Sequence, residues 1–451
     1  MFTERLLQFI WQFQYFSKSG LMTSAGEKVQ IISPGQINSN QGPDFSDAKI
    51  KIDNTVWAGN VELHMKTSDW IRHKHDGDSN YNNVILHVVW EDDQQTSVPI
   101  PTLELKARTS KILLQRYQDL MHATGFIPCE TSVHTVPEIT WKSWKERLLI
   151  ERLLRKSKTV EDYLQQSNFH WEETFWWLLA RNFGVNVNAD AFEAMARSIP
   201  LKLLAKHKTQ IHQLEGLLFG QAGLLNGDFD EDYPSMLKKE WLFYKNKYSL
   251  SQVSTPVFFL RMRPGNFPTV RLAQLAMLVQ HSAHLFSNIK NTGSVSELKK
   301  WFDVTANDYW HYHYKFDELS EYKPKNLGES MIENLVINTV TPMLFAYGKY
   351  HEENLFKQKA LNWLEEISPE INFITKGFVK WGIENKTAFD SQALIELKNE
   401  YCNKKRCLDC TVGNSILKIS EKVSMRPPLK EKDRENQPSL FGNSESSRPP
   451  K

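Results

Sequence analysis

The chain has 451 residues, 41% hydrophobic and 24% charged, and its 55 basic and 53 acidic side chains leave a net charge of +2. That length excludes a single small fold and predicts two or three domains, with an aromatic-rich core because 14 Trp and 25 Phe must be buried. The near balance of charge excludes nucleic-acid binding through a global basic excess, so any such surface must be a local patch.

Residues 3–17 carry Leu6, Leu7, Ile10, Trp11 and Phe13 at helical spacing, which predicts an amphipathic helix. The segment has no positive n-region, continuous apolar run or small-residue cleavage site, so it does not read as a secretion signal. Strands are predicted at 28–33, 47–53, 55–66, 82–91 and 97–107. A Gly, Asn, Gln and Ser-rich loop runs from Pro34 to Gly42, and a polar, His-containing helix or loop from Asp69 to Asn80.

The central strand alternates from Trp57 onward. Gly59, Val61, Leu63 and Met65 follow Trp57 on one side, and Asn60, Glu62, His64 and Lys66 take the other, as expected of a half-buried strand with its chemistry on one face. The turn Gly42-Pro43-Asp44-Phe45 brings an acidic residue to the start of the preceding strand. Asp44 and Glu62 offer the hard oxygen ligands that Mg²⁺ or Mn²⁺ takes. His64 or Lys66, further along the same face, would orient a water or offset charge on a phosphate.

Two further donor groups stand out. His73-x-His75, with Asp76 and Asp78 nearby and with His64 and His87 on adjacent strands, could hold zinc or bind a substrate phosphate, although no HExxH spacing is present. Cys402, Cys407 and Cys410 fall within nine residues, and Cys129 completes the count for a Cys₄ site holding Zn²⁺ or an iron–sulfur cluster.

Helical patterns dominate the rest of the chain: 111–122, 139–166, 171–183, 190–206, 208–224, 233–247, 268–286, 294–302, 328–347, 354–367 and 388–401. Glu333, Asn334 and Asn338 interrupt the most apolar of these, which argues against a membrane span and for a cytoplasmic protein without a membrane partner. The aromatic runs Trp171, Phe175, Trp176, Trp177 and Phe258, Phe259 read as core. Arg261, Arg263 and Arg271 surround a Pro-Gly loop entering a helix, where they would either hold nucleic-acid phosphate or pair with carboxylates and organise the loop. The expected class is α+β: a small mixed-sheet core over 1–125, a helical domain with the cysteine cluster over 126–422, and a disordered tail over 423–451, where paired prolines and mixed charges leave little to bury.

Pro43-Asp44, Glu62 and the element order around them resemble the PD-(D/E)xK phosphodiesterase superfamily, whose core is helix, three strands, helix, strand. That resemblance implies a restriction-endonuclease-like core, metal-dependent cleavage of nucleic acid, and an accessory acidic role for Glu4 on the first helix. The superfamily's lysine position falls on His64, leaving His64 to substitute or Lys66 to reach in. Some members of the superfamily staple their termini with an iron–sulfur cluster on one distant and three clustered cysteines, to which the cysteine set is similar, except that Cys129 follows the core. At full length, the chain resembles a family of uncharacterised bacterial proteins known only as a domain of unknown function. The motifs carrying that likeness are Ile10-Trp11-Gln12-Phe13, Gly42-Pro43-Asp44-Phe45, Gly59 to His64, Tyr81 to Val89, Arg261 to Gly265, and Cys407-Leu408-Asp409-Cys410. The expected function is a metal-dependent nuclease. The alternatives are a non-catalytic nucleic-acid-binding or scaffold protein on the same fold, and a zinc-dependent hydrolase using the histidines.

Overall fold

A computed structural model describes residues 2–38, 41–93, 100–260, 262–282 and 284–418. The described residues form two compact units, one made of residues 2–124 together with 407–418, the other of Gly125–Arg406. The expected tail over 423–451 lies outside the described residues, as does Arg261.

The first unit is built on a mixed sheet. Helix α1 (Glu4–Gln12) starts where the Thr3 hydroxyl accepts from the Leu6 amide and buries Leu6, Leu7, Phe9, Ile10 and Trp11. It is shorter than the predicted 3–17, because Gln14 takes a left-handed φ of 52° and leaves Phe13 exposed. Strands β1 (Val29–Ser33), β2 (Gln36–Ile37), β3 (Phe45–Ile52) and β4 (Thr55–Lys66) follow, then a crossover holding α2 (Asp69–Arg72), then β5 (Val84–Glu91) and β6 (Thr102–Glu104). The sheet order is β1-β3-β4-β5-β6, with β2 also on β3. β3 is antiparallel to β1 and β4, whereas β4, β5 and β6 run parallel. Antiparallel neighbours need only a tight turn, while the parallel β4–β5 pair requires a crossover, and the polar segment after Lys66 supplies it.

One expectation about β4 is corrected. The strand is not half-buried along its length: Glu62 is 6% and His64 1% exposed, as enclosed as Val61 and Leu63, while Trp57 at the other end is 51% exposed. The half of β4 that bears Glu62 and His64 lies between β3 and the parallel β5 inside the sheet and is packed by helices, and Val84 to Val89 of β5 is likewise buried without alternation. α1 and α2 both pack on β4. The unit also holds α3 (Lys111–His122) and the helix Thr411–Lys418, which pack together and bury Val412, Ile416 and Leu417.

The second unit is helical apart from a short hairpin, His313–Lys315 with Glu318–Leu319. Its longest helix is α4 (Glu138–Gln166); α5 (Trp171–Phe183) buries Phe175, Trp176 and Trp177 as expected. The Trp176 indole donates to the Ala196 carbonyl of α6 (Val185–Ser198) at 3.1 Å. The helix predicted over 190–206 is two, since Pro200 lacks an amide donor and α7 (Leu201–His207) begins after it. The helix predicted over 268–286 likewise breaks at Ser282, which is extended. Gly220 of α8 (Ile211–Gln221) lets α9 (Asp232–Lys247) approach so closely that a Cβ there would lie 2.1 Å from the Trp241 ring. Phe258 is exposed and not part of the core. No helix among the described residues is long and apolar enough to cross a membrane.

Candidate metal centre

Asp44 immediately precedes β3, and a bulge fixes its alignment with β4. Phe45 pairs with Val61 and Ala48 with Gly59, so β3 carries one extra residue, accommodated by Asp47 at φ 57°. Past the bulge, Asp44 stands beside Glu62 and the two are cross-linked. The Asp44 amide donates to Glu62 Oε2 at 3.0 Å, and the Leu63 amide donates to Asp44 Oδ2 at 3.1 Å. Gln8, one turn beyond Glu4 on α1, donates to Asp44 Oδ1 at 2.8 Å. Sequence reading did not find Gln8, although its i+4 spacing from Glu4 was available as a signal.

Among the described residues, no lysine or arginine forms an ion pair with Glu4, Asp44 or Glu62; the ion-pair partners of Glu62 are His64 and His75. Burial and the neighbouring Glu4 charge push the Asp44 carboxyl up to about 6. Burial and the Asp44 charge push Glu62 up to about 8, and burial raises Glu4. Burial is the main cause at all three, and the Glu4 charge adds to it at both Asp44 and Glu62.

The histidines surround Glu62 on its other side. Parallel pairing sets Glu62 beside His87 of β5, and His64 Nδ1 lies 2.9 Å from His87 Nε2. His64 Nε2 is 3.1 Å from His73 Nδ1 and 3.5 Å from Glu62 Oε1, and His75 Nε2 is 3.6 Å from the same Glu62 oxygen. His73 and His75 converge because Lys74 between them adopts φ 60°, a left-handed turn uncommon for a side-chain-bearing residue. Tyr81 stacks on His75 with ring centroids 3.8 Å apart, and Trp70 meets His64, His75 and His87 edge-on. Neither aromatic carried a sequence signal for this position. Burial, reinforced by the His87, His73 and His75 rings, holds the His64 imidazole neutral, with its pKa down to about 2, and burial lowers His87 to about 4. Held neutral in this way, the His64 imidazole offers a nitrogen lone pair.

Lys66 lies away from this cluster, with a half-exposed side chain 3.9 Å from Asp93. Arg271, in the second unit, is buried and donates to Gln274 and Asn266, so it organises its loop, while Arg263 is exposed. Cys129 and Cys402 fall in the second unit, and Cys407 and Cys410, both buried, in the first. Among the described residues, the one group of three or more His, Cys, Asp or Glu donors with atoms within 4.8 Å of one another is His64, His73 and His75.

No curated protein and no solved structure matches the chain. A family match covers residues 4–373, from the helix that carries Glu4 through the sheet with Asp44, Glu62 and the histidines into the second unit, and on that extent the chain belongs to the family described as Protein of unknown function (DUF2851).

Proposed function

We propose that the first unit is a metal-dependent phosphodiesterase acting on nucleic acid, with Asp44 and Glu62 as the oxygen ligands of a Mg²⁺ or Mn²⁺ ion. The observation that carries this reading is the reciprocal anchoring of Asp44 and Glu62 across β3 and β4, with Glu4 close enough to raise both and no lysine or arginine among their ion-pair partners. Buried carboxylates are ordinarily paired, and a divalent cation is the partner that such a set fits. The order α1-β1-β3-β4-α2-β5 supports it further, being the helix, three strands, helix, strand arrangement of the PD-(D/E)xK core once the two-residue β2 is set aside. A bound cation would offset charge on a scissile phosphate and lower the pKa of an attacking water. Glu62 and Asp44 would hold it, Glu4 would adjust their charge, and Gln8 would keep the Asp44 carboxylate oriented.

The test is cleavage of supercoiled plasmid and of single-stranded RNA by the full chain with Mg²⁺ or Mn²⁺. Metal-dependent cleavage lost by at least about a hundredfold in Asp44→Ala, with an unchanged melting temperature, is the expected result. Salt-sensitive DNA binding that Asp44→Ala leaves intact, without cleavage, would instead identify a non-catalytic binding protein.

A further inference from the structure

The histidines are the least expected part of the first unit. An ordinary Mg²⁺ site needs no imidazole, yet four of them come from β4, β5 and the crossover, and two are brought there by a left-handed residue between them. Such a backbone conformation costs on the order of 1 kcal/mol and persists where something specific is held in return.

We infer that His64, His73 and His75, with Glu62 Oε1 as fourth donor, form a site for one borderline d-block cation of the zinc class, distinct from the hard-oxygen position between Asp44 and Glu62. Tetrahedral bonds of zinc to nitrogen and oxygen place neighbouring donor atoms roughly 3.3 Å apart. The separations here are 3.1 Å from His64 Nε2 to His73 Nδ1, 3.5 Å from His64 Nε2 to Glu62 Oε1 and 3.6 Å from His75 Nε2 to Glu62 Oε1. These three separations are at or near coordination spacing and the three imidazole donors lie within 4.8 Å of one another, so what remains is for the exposed His73 and for Glu62 to draw in on the ion. Imidazole and carboxylate together select this class of ion over Mg²⁺ or Ca²⁺, which take oxygen. The second shell is also in place: with His64 Nε2 on the ion, its Nδ1–H donates to His87 Nε2, which fixes the tautomer and the ring. Tyr81 and Trp70 wall the buried side, and His73 opens to solvent. Glu62 belongs to both positions, so the inference extends the phosphodiesterase reading by a second cation but depends on metal chemistry alone.

The experiment uses the full chain without an affinity tag of histidines. Elemental analysis is expected to find about one equivalent of zinc, manganese, iron or cobalt per chain, and the metal-free protein titrated with Co²⁺ should develop the visible d–d absorption of a four-coordinate ion. Exposed His73→Ala, which leaves the core intact, should weaken Co²⁺ binding by about a hundredfold or more, as should His75→Ala. Asp44→Ala should keep the cobalt spectrum even where it abolishes cleavage. A wild-type protein without the visible bands would overturn the inference. So would bands that persist in the His73→Ala/His75→Ala double variant, or a cobalt–thiolate charge-transfer band in the near ultraviolet as the sole signal. Cobalt binding that follows the histidines in a protein that cleaves nothing supports this site and refutes the phosphodiesterase reading; cleavage without cobalt binding does the reverse.

Discussion

At the scale of single residues, the chain buries carboxyls in two quite different ways. Glu62 is raised by burial and, beyond that, by its acidic neighbours, whereas Glu215 of α8 stands alone among neutral donors. It accepts from the Tyr233 hydroxyl at 2.8 Å, the Asn307 amide at 2.6 Å and the Trp310 indole at 3.1 Å. Complete burial outweighs those hydrogen bonds and pushes its pKa up to about 7. A carboxyl raised on folding binds its proton more tightly in the native state, so its stabilising contribution is full below the unfolded value near 4.5 and is lost as pH rises through about 7. Wild type should therefore gain up to about 3 kcal/mol from this group between pH 8 and pH 4.5. Glu215→Gln should flatten that slope in denaturant melts taken across the range; an unchanged slope would place the pH dependence elsewhere. Residue identity alone singled out Asp44, Glu62 and the histidines, which the fold brings near one another. It could not show that Lys66 turns towards Asp93, because a two-residue period says which face a side chain leaves from and not which neighbour it meets.

At the scale of elements, the strands were legible and their surroundings less so. The predicted 55–66 matches β4, and 28–33 and 82–91 differ from β1 and β5 by two residues at most, since β-branched runs bounded by polar turns mark strands well. The predicted 47–53 starts two residues late, because the bulge at Asp47 hides the alternation there. The two-residue β2 leaves no periodic trace, and the crossover after Lys66 resolves into α2 and two single 3₁₀ turns that no pattern distinguishes from a loop. Neither sequence period nor composition revealed that both faces of β4 are covered, since that depends on which strands and helices come to lie against it. Gly59 is a close approach within β4. A Cβ there would sit 2.5 Å from Ile85 Cγ2 and 2.6 Å from the Asn83 carbonyl oxygen, next to the shift in register between β4 and β5. Gly59→Ala must displace backbone, so a loss of about 1–3 kcal/mol in chemical denaturation is expected, together with weaker metal binding as Glu62 and His87 lose their pairing. Full stability in that variant would mean that β5 yields without cost.

At the scale of the whole molecule, sequence order misleads about what belongs together. The stretch 126–422 reads as one helical domain, whereas Thr411–Lys418 packs on α3 in the unit that holds the sheet. Tyr15 donates to Asn414 Oδ1 at 2.6 Å and Arg5 pairs with Asp409 at 2.6 Å, contacts about four hundred residues apart in the chain that no local pattern could foretell. Val412, Ile416 and Leu417 are each nearly fully buried, worth about 1.5–3 kcal/mol apiece. Ending the chain after Arg406 should therefore expose the sheet unit to limited proteolysis while residues 125–406 stay resistant; equal resistance of both would show that α3 needs no cover.

This division has a consequence for how the protein is made. On the ribosome Asp44 and the strand bearing Glu62 and His64 emerge early, but the helix Thr411–Lys418 of their unit is translated only after all of residues 125–406. The helical unit can fold while the sheet unit still waits for that helix. A ribosome that stalls in that interval leaves exposed, on the nascent chain, apolar surface that the finished protein keeps covered.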